Sequence, residues 1–305
     1  MMDSEYKIRQ KEDFVIMKKG QSSFESSKKF MPHSKKRRCP YFTVGLLIVI
    51  ILACMFCEIW MPYNPTEMNL KEVYSSPSVR HLFGTDSMGR DLLCMIGYGG
   101  RISLFIGIVA TIISSSIGIV YGTINAFASN RVDRIMRRFI EIILSMPSIL
   151  MIVFLQGMLG TKTPLSIAIV IGVSRWMPIA QIVRSEVKKL KQMEYVLAAR
   201  VMGSSFLRVL LKHLIPNFMP AIMFMIISEI GLSIGLESTL SFLGLGLPLE
   251  TLSWGSLLAL SQKSVLQNHW WMIVIPGIFL VLTLCAMTRL GHVMQKGNSQ
   301  RCSHL

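Results

Sequence analysis

Acidic residues are scarce in this chain. Its 305 residues include 17 Asp and Glu against 32 Lys and Arg, so the formal net charge is +15, and charged residues of both signs make up only 16%. Soluble domains carry about 25%, which argues against a globule covered by solvent. Six cysteines are too few for a disulfide scaffold. No Gly is followed by Lys, which excludes a Gly-Lys-Ser/Thr phosphate loop and any ATPase of that class. There is no His-Glu-x-x-His, and His33, His81, His213, His269, His292 and His304 contain no i, i+4 pair to begin a metal cage. Cys54 and Cys57 form a Cys-x-x-Cys, but within an apolar run, where small apolar fillers are the stronger reading. The chain offers no catalytic constellation, and neither a metal nor a cofactor of its own is expected.

Apolar residues fill the space that charge leaves. They make up 51% of the chain, and the mean hydropathy is +0.50. A bilayer core of about 30 Å needs about 20 apolar helical residues. Six runs meet that requirement, at 42–61, 102–127, 139–159, 165–183, 219–243 and 271–290. An all-α polytopic membrane protein with six transmembrane helices follows. Gly160 and Pro164 mark a tight hairpin between the third and fourth spans, and Pro147 and Pro178 lie inside spans as sites of kinking.

Basic residues fix the orientation, because cytoplasmic flanks carry the Lys and Arg excess. Twenty-five of the 32 lie on one side: the tail before the first span, the loops after spans two and four, and the segment after the last. Six lie on the other side, and Arg175 alone falls deep within a span, since Arg289 stands at the very end of the sixth. Both termini are therefore placed in the cytoplasm of a multi-pass cell-membrane protein. The basic run Lys35, Lys36, Arg37 and Arg38 reads as a topology anchor beside the lipid bilayer, with no nucleic acid as partner. Trp60, Trp270 and Trp271 stand at the outer ends of spans one and six, where an aromatic belt is expected. The chain divides into a basic tail (1–41), a first helix with an external loop (42–101), a core (102–292) and a C-terminal tail (293–305).

The loop between spans four and five, about 185–218, is the most informative stretch. Ala199 and Gly203 stand at i and i+4, on one face of an expected helix, with Ala198 and Leu197 beside them. Small residues on one face admit close approach by a partner, and Ile215-Pro216 would stop or kink the chain before the next span. On spacing alone, a partner-docking helix and an ordinary interfacial helix fit equally well. On the other side, Gly84, Thr85, Asp86, Gly89, Arg90 and Asp91 combine turn formers with a possible ion-pair set. They either face a delivery protein or pin the loop's own fold. Glu229 and Glu237 lie in the fifth span. A carboxylate at that depth must face a bundle interior or water, so the two either line a path or brace the bundle, with Arg175 as a candidate partner.

Three segments resemble one family. Ala198, Ala199, Gly203, Ile215 and Pro216 match the EAA loop of ABC-importer permeases, with Leu197 where that family has its Glu. The run His81-Leu-Phe-Gly-Thr-Asp-Ser-Met-Gly-Arg-Asp91 is similar to a signature of the C-type permease of oligopeptide and dipeptide importers. So is Glu237-Ser-Thr-Leu-Ser-Phe-Leu-Gly-Leu-Gly246 followed by Trp254-Gly255. The resemblance covers roughly 40–292.

It implies a type I ABC importer permease fold and a non-enzymatic subunit with an alternating-access pathway. The implied partners are a sister permease, two ATPase subunits that bind ATP and magnesium, and an external solute-binding protein. The EAA loop would supply the coupling helix on the ATPase. The expected cargo is a peptide; nickel chelates or another small solute remain open, and a self-sufficient secondary transporter is the alternative from a different class.

Overall fold

The computed structural model describes residues 40–60, 65, 67–265 and 267–302. The basic tail ahead of residue 40 lies outside them. The described residues are helical apart from loops and one isolated β-bridge between Thr85 and Asp91. In chain order the helices are α1 (Pro40–Met55), α2 (Leu92–Phe127), α3 (Asn130–Leu144), α4 (Ser148–Leu159), α5 (Pro164–Leu190), α6 (Glu194–Val201), α7 (Ile215–Phe242), α8 (Trp254–Val265) and α9 (Trp271–Cys302). Short helical turns at Cys57–Trp60 and Phe206–Val209 join them.

Among the described residues, four helical segments are long and apolar enough to cross a membrane: α2, α5, α7 with the turn before it, and α9. The expected third span is not one rod. It divides into α3 and α4, whose axes differ by 88°. Pro147 is the cause, because its ring blocks the hydrogen bond and space that a continuing helix requires. The two halves also differ in character. α4 is apolar around its circumference, whereas α3 sets Val132, Ile135, Phe139 and Ile142 among four arginines. α1 is short and apolar, so the order of six apolar elements is kept with the first and third modified.

All three expected boundaries fall inside helices, the first of them within α1, which begins at Pro40. α2 starts at Leu92, ten residues before the expected core, because Asp91 caps it by accepting a hydrogen bond from the Cys94 N–H at 3.1 Å. α9 runs through residue 293 to Cys302, so no separate tail begins there. Pro164 opens α5 inside a reciprocal Thr163–Ser166 capping box, and Gly160 closes α4 in the left-handed region, which makes the expected hairpin.

Glycine lets the central helices meet. A Cβ on Gly118 would lie 2.8 Å from the Cβ of Ile179, and one on Gly172 would lie 2.7 Å from that of Ile113. α2 and α5 therefore touch backbone to side chain. Trp254 is fully buried at the centre of an apolar cluster with Ile96, Leu104, Ile234 and Trp271. A second cluster at the end carrying the basic loops gathers Ala126, Val183, Val187, Val196, Ala199 and Phe218.

Candidate docking surface and buried polar centres

The expected docking segment is a helix, but a shorter one than its spacing suggested. α6 ends at Val201, and Gly203 takes a φ of +79°. The Ser204 N–H returns to the Ala199 carbonyl at 3.1 Å, closing the turn that commonly ends a helix at a left-handed glycine. Gly203 therefore shares no helical face with Ala199, and its role is to stop the helix. Ala199 faces inward with Val196, against Val209, Leu214 and Phe218. The outward face carries Leu197 and Ala198, then Val201, which is 88% exposed, with Met202 following. Leu197 and Val201 are i and i+4, so they form one ridge. Val201 and Met202 extend this ridge beyond the docking residues that the sequence suggests, and their exposure is legible only once Val196 and Ala199 are seen to be buried.

Ile215 is half-buried and Pro216 exposed. Pro216 does not stop the chain. A π-turn at Leu210–Leu214 absorbs the lost hydrogen bond, and the helical path continues into α7.

The Gly84–Asp91 motif folds onto itself. Thr85, Asp86, Arg90 and Asp91 are all buried. Asp86 accepts from the Arg90 Nε at 2.7 Å and from the backbone N–H groups of Met88 and Arg90. Gly84 and Gly89 both have positive φ, and a Cβ on Gly89 would stand 1.9 Å from the Asn69 carbonyl oxygen. His81 joins the set, with Nδ1 2.7 Å from Asp91 and Nε2 3.1 Å from Glu72. Burial alone would pull the His81 ring toward its neutral form, but the bonds to Asp91 and Glu72 outweigh that and raise its pKa above the ordinary histidine value. The same contact lowers that of Glu72. These residues pin the loop. Trp271 is buried beneath it, donating to the Thr85 carbonyl at 3.4 Å, while Trp270 is exposed as an interfacial residue should be. The Trp60 side chain lies outside the described set.

The two intramembrane glutamates have different partners. Glu229 is buried and bound by Arg175 through Nε at 2.7 Å and Nη2 at 3.3 Å. Glu237 has no exposed surface and accepts hydrogen bonds from Ser103, Ser238, Ser241 and Ser253. Three of those serines are relays. Ser103 Oγ receives the Trp254 N–H, Ser241 Oγ that of Leu247, and Ser253 Oγ that of Ser256. One carboxylate thus ties α2, α7 and the start of α8 together, with its side chain closed inside the chain's own bundle. Neighbouring on α7, Gly231-Leu-Ser-Ile-Gly235 spells the letters of a nucleophile elbow, but that motif needs a strand-to-helix turn. Ser233 is buried within a helix.

Among the described residues no group of three His, Cys, Asp or Glu is placed to hold a metal ion.

Comparison with known proteins agrees with this architecture. The family described as "Binding-protein-dependent transport system inner membrane component" matches residues 114–297. The dipeptide transport system permease protein DppC of Bacillus subtilis is 34% identical over 261 residues, covering 86% of this chain and 81% of the relative. The oligopeptide transport system permease protein OppC of the same organism is 36% identical over 250 residues, covering 81% of each. Among solved structures, a chain of the MetNI methionine ABC transporter in an inward-facing conformation has a TM-score of 0.51 at 18% identity, covering 66% of this chain and 96% of that one. This last likeness concerns the fold.

Proposed function

We propose that this chain, which belongs to the family of binding-protein-dependent transport system inner membrane components, is a membrane-spanning subunit of an ATP-driven importer of peptides. The names of its dipeptide and oligopeptide permease relatives support that cargo. In this reading the end bearing the basic loops is cytoplasmic. The ridge of Leu197, Val201 and Met202 sits in a groove of an ATPase subunit, and a sister permease forms the other wall of the path. A solute-binding protein meets the opposite face.

The observation that carries the reading is the ridge itself. A segment otherwise polar enough to stay in water exposes adjacent apolar side chains on a helix whose opposite face is locked into the bundle. Work done on that ridge passes to the spans through the Ala199 cluster. ATP binding and its magnesium would belong to the partner subunits. ATPase closure would draw the two ridges together and rock the spans outward, and product release would restore the inward state. This chain performs no bond chemistry in that cycle.

Purification in mild detergent tests the assembly. Wild type should carry an ATPase and a second permease, whereas Val201→Asp should keep the second permease and lose the ATPase. Retention of the ATPase by Val201→Asp would move the docking surface elsewhere. Uptake of peptide by the purified chain alone in vesicles would replace the importer reading with a self-sufficient carrier. External thiol labelling of cysteines placed at Ser76 and Ser205 tests orientation. Only the first should react in intact cells, and labelling at Ser205 would reverse the assignment.

A further inference from the structure

At the end carrying the basic loops, a cavity of about 270 Å³ lies between α2, α3 and α5, lined by Asn125, Arg137, Ile140, Glu141, Gln181 and Arg184. We propose that it is a binding site for a phosphate group at the membrane surface, held by Arg137, Arg184 and the amide of Asn125. Neither the docking ridge nor the buried glutamates use these residues.

Two independent observations converge on a ligand. Asn125 is fully buried, and neither its Nδ2 nor its Oδ1 has a hydrogen-bond partner among the described residues. A buried amide with both halves unpaired is costly and rare in folded proteins. The second observation is the charge around it. Arg184 grips Asp133 with two bonds, at 2.5 and 2.6 Å, and Lys188 adds a third at 2.8 Å. Arg137 Nε stands 3.8 Å from the same carboxylate, beyond hydrogen-bonding reach of it. Glu141 is engaged by Arg138 at 2.9 Å. The charged residues lining the cavity are thus two arginines and one glutamate that is already paired outside it, and the excess is positive.

The Arg137 guanidinium fork matches phosphate oxygens in plane and spacing, and Arg184, whose Nε and Nη2 hold Asp133, adds Nη1 as a donor. The Asn125 amide adds a donor for a phosphate oxygen and an acceptor for a hydroxyl on the same molecule. The position supplies such groups. α3 exposes Val132, Ile135, Phe139 and Ile142, and an amphipathic helix of this kind lies at headgroup depth. A phospholipid headgroup and a free phosphate ion share the required chemistry.

The test uses the intact transporter complex, delipidated and returned to nanodiscs. Retained phosphatidylglycerol is measured by native mass spectrometry, against phosphatidylcholine discs and against added inorganic phosphate. Wild type should retain phosphatidylglycerol saturably, and Arg137→Gln and Asn125→Ala should each reduce retention at least about fivefold. Arg131→Gln, on the same helix but outside the cavity, should leave it unchanged and serves as the control for folding and surface charge. Retention undisturbed by inorganic phosphate identifies a lipid headgroup; competition by inorganic phosphate identifies a free ion, and either supports the site. An equal loss in Arg131→Gln would show diffuse attraction to the basic face and overturn the proposal. So would the absence of saturable retention and of phosphate binding in wild type.

Discussion

Removing the Glu237 side chain should destabilise the bundle. Each of its three relay serines accepts a backbone N–H and passes its own hydrogen to the carboxylate. Glu237→Leu deletes the common acceptor. Four serine hydrogen bonds to one buried carboxyl group represent about 2–6 kcal/mol in all. Part of that is recovered because the freed serines can turn toward helix carbonyls. A net loss of about 2–4 kcal/mol is expected, which for a chain of this size lowers the melting temperature by roughly 3–6 °C. Glu237→Gln keeps one acceptor oxygen and should lose about 1 kcal/mol. The assay is thermal unfolding in detergent followed by tryptophan emission, since Trp254 is anchored to the network through Ser103 and donates its indole N–H to the Ile96 carbonyl at 3.1 Å. If Glu237→Leu melts with wild type and Trp254 emission is unchanged, the relay does not hold the bundle together.

Arg175→Leu leaves Glu229 buried without its partner and should cost about 3–5 kcal/mol, whereas the double change Arg175→Met, Glu229→Leu should recover most of it; equal losses in the two would refute the pairing. Gly89→Ala forces a side chain into the Asn69 carbonyl at a φ of +73° and should expose the external loop to protease at temperatures where wild type resists. The His81 pKa is raised in the folded loop, so its contribution is complete below the unfolded value of about 6.5 and is lost as pH rises through the folded one. Amide exchange over residues 75–91 should therefore accelerate with pH beyond its intrinsic base dependence. In His81→Gln that extra acceleration should vanish, and its persistence would assign the effect to another group.

The apolar runs, the hairpin at Gly160 and the basic loops were readable from letters because each depends on local chemistry. The bend at Pro147 was only half readable. A proline announces a break, but its 88° angle depends on where the arginine-bearing α3 can settle. Gly203 misled for a related reason: i, i+4 spacing assumes that the helix persists, and a glycine can equally be the residue that ends it. The Asp86–Arg90 pair was visible as opposite charges four residues apart, but its burial required knowledge of what covers it. The serine relay around Glu237 was largely illegible: Ser241 stands at i+4 from it on one helix, but Ser103 arrives from 134 residues away and Ser253 only after the chain turns back. Serine by itself carries no pattern.

α2 also has a mechanical meaning. α5, α7 and α9 each contain a proline inside the helix, but α2 runs for 36 residues without one. At 1.5 Å per residue it is a strut of about 54 Å, longer than the bilayer core is thick. One end is capped by Asp91 of the external loop, and the other carries Ala126 into the cluster behind the α6 ridge. A tilt of about 10° around its midpoint would displace each end by about 5 Å in opposite senses. A small push at one surface would then appear, undiminished and reversed, at the other.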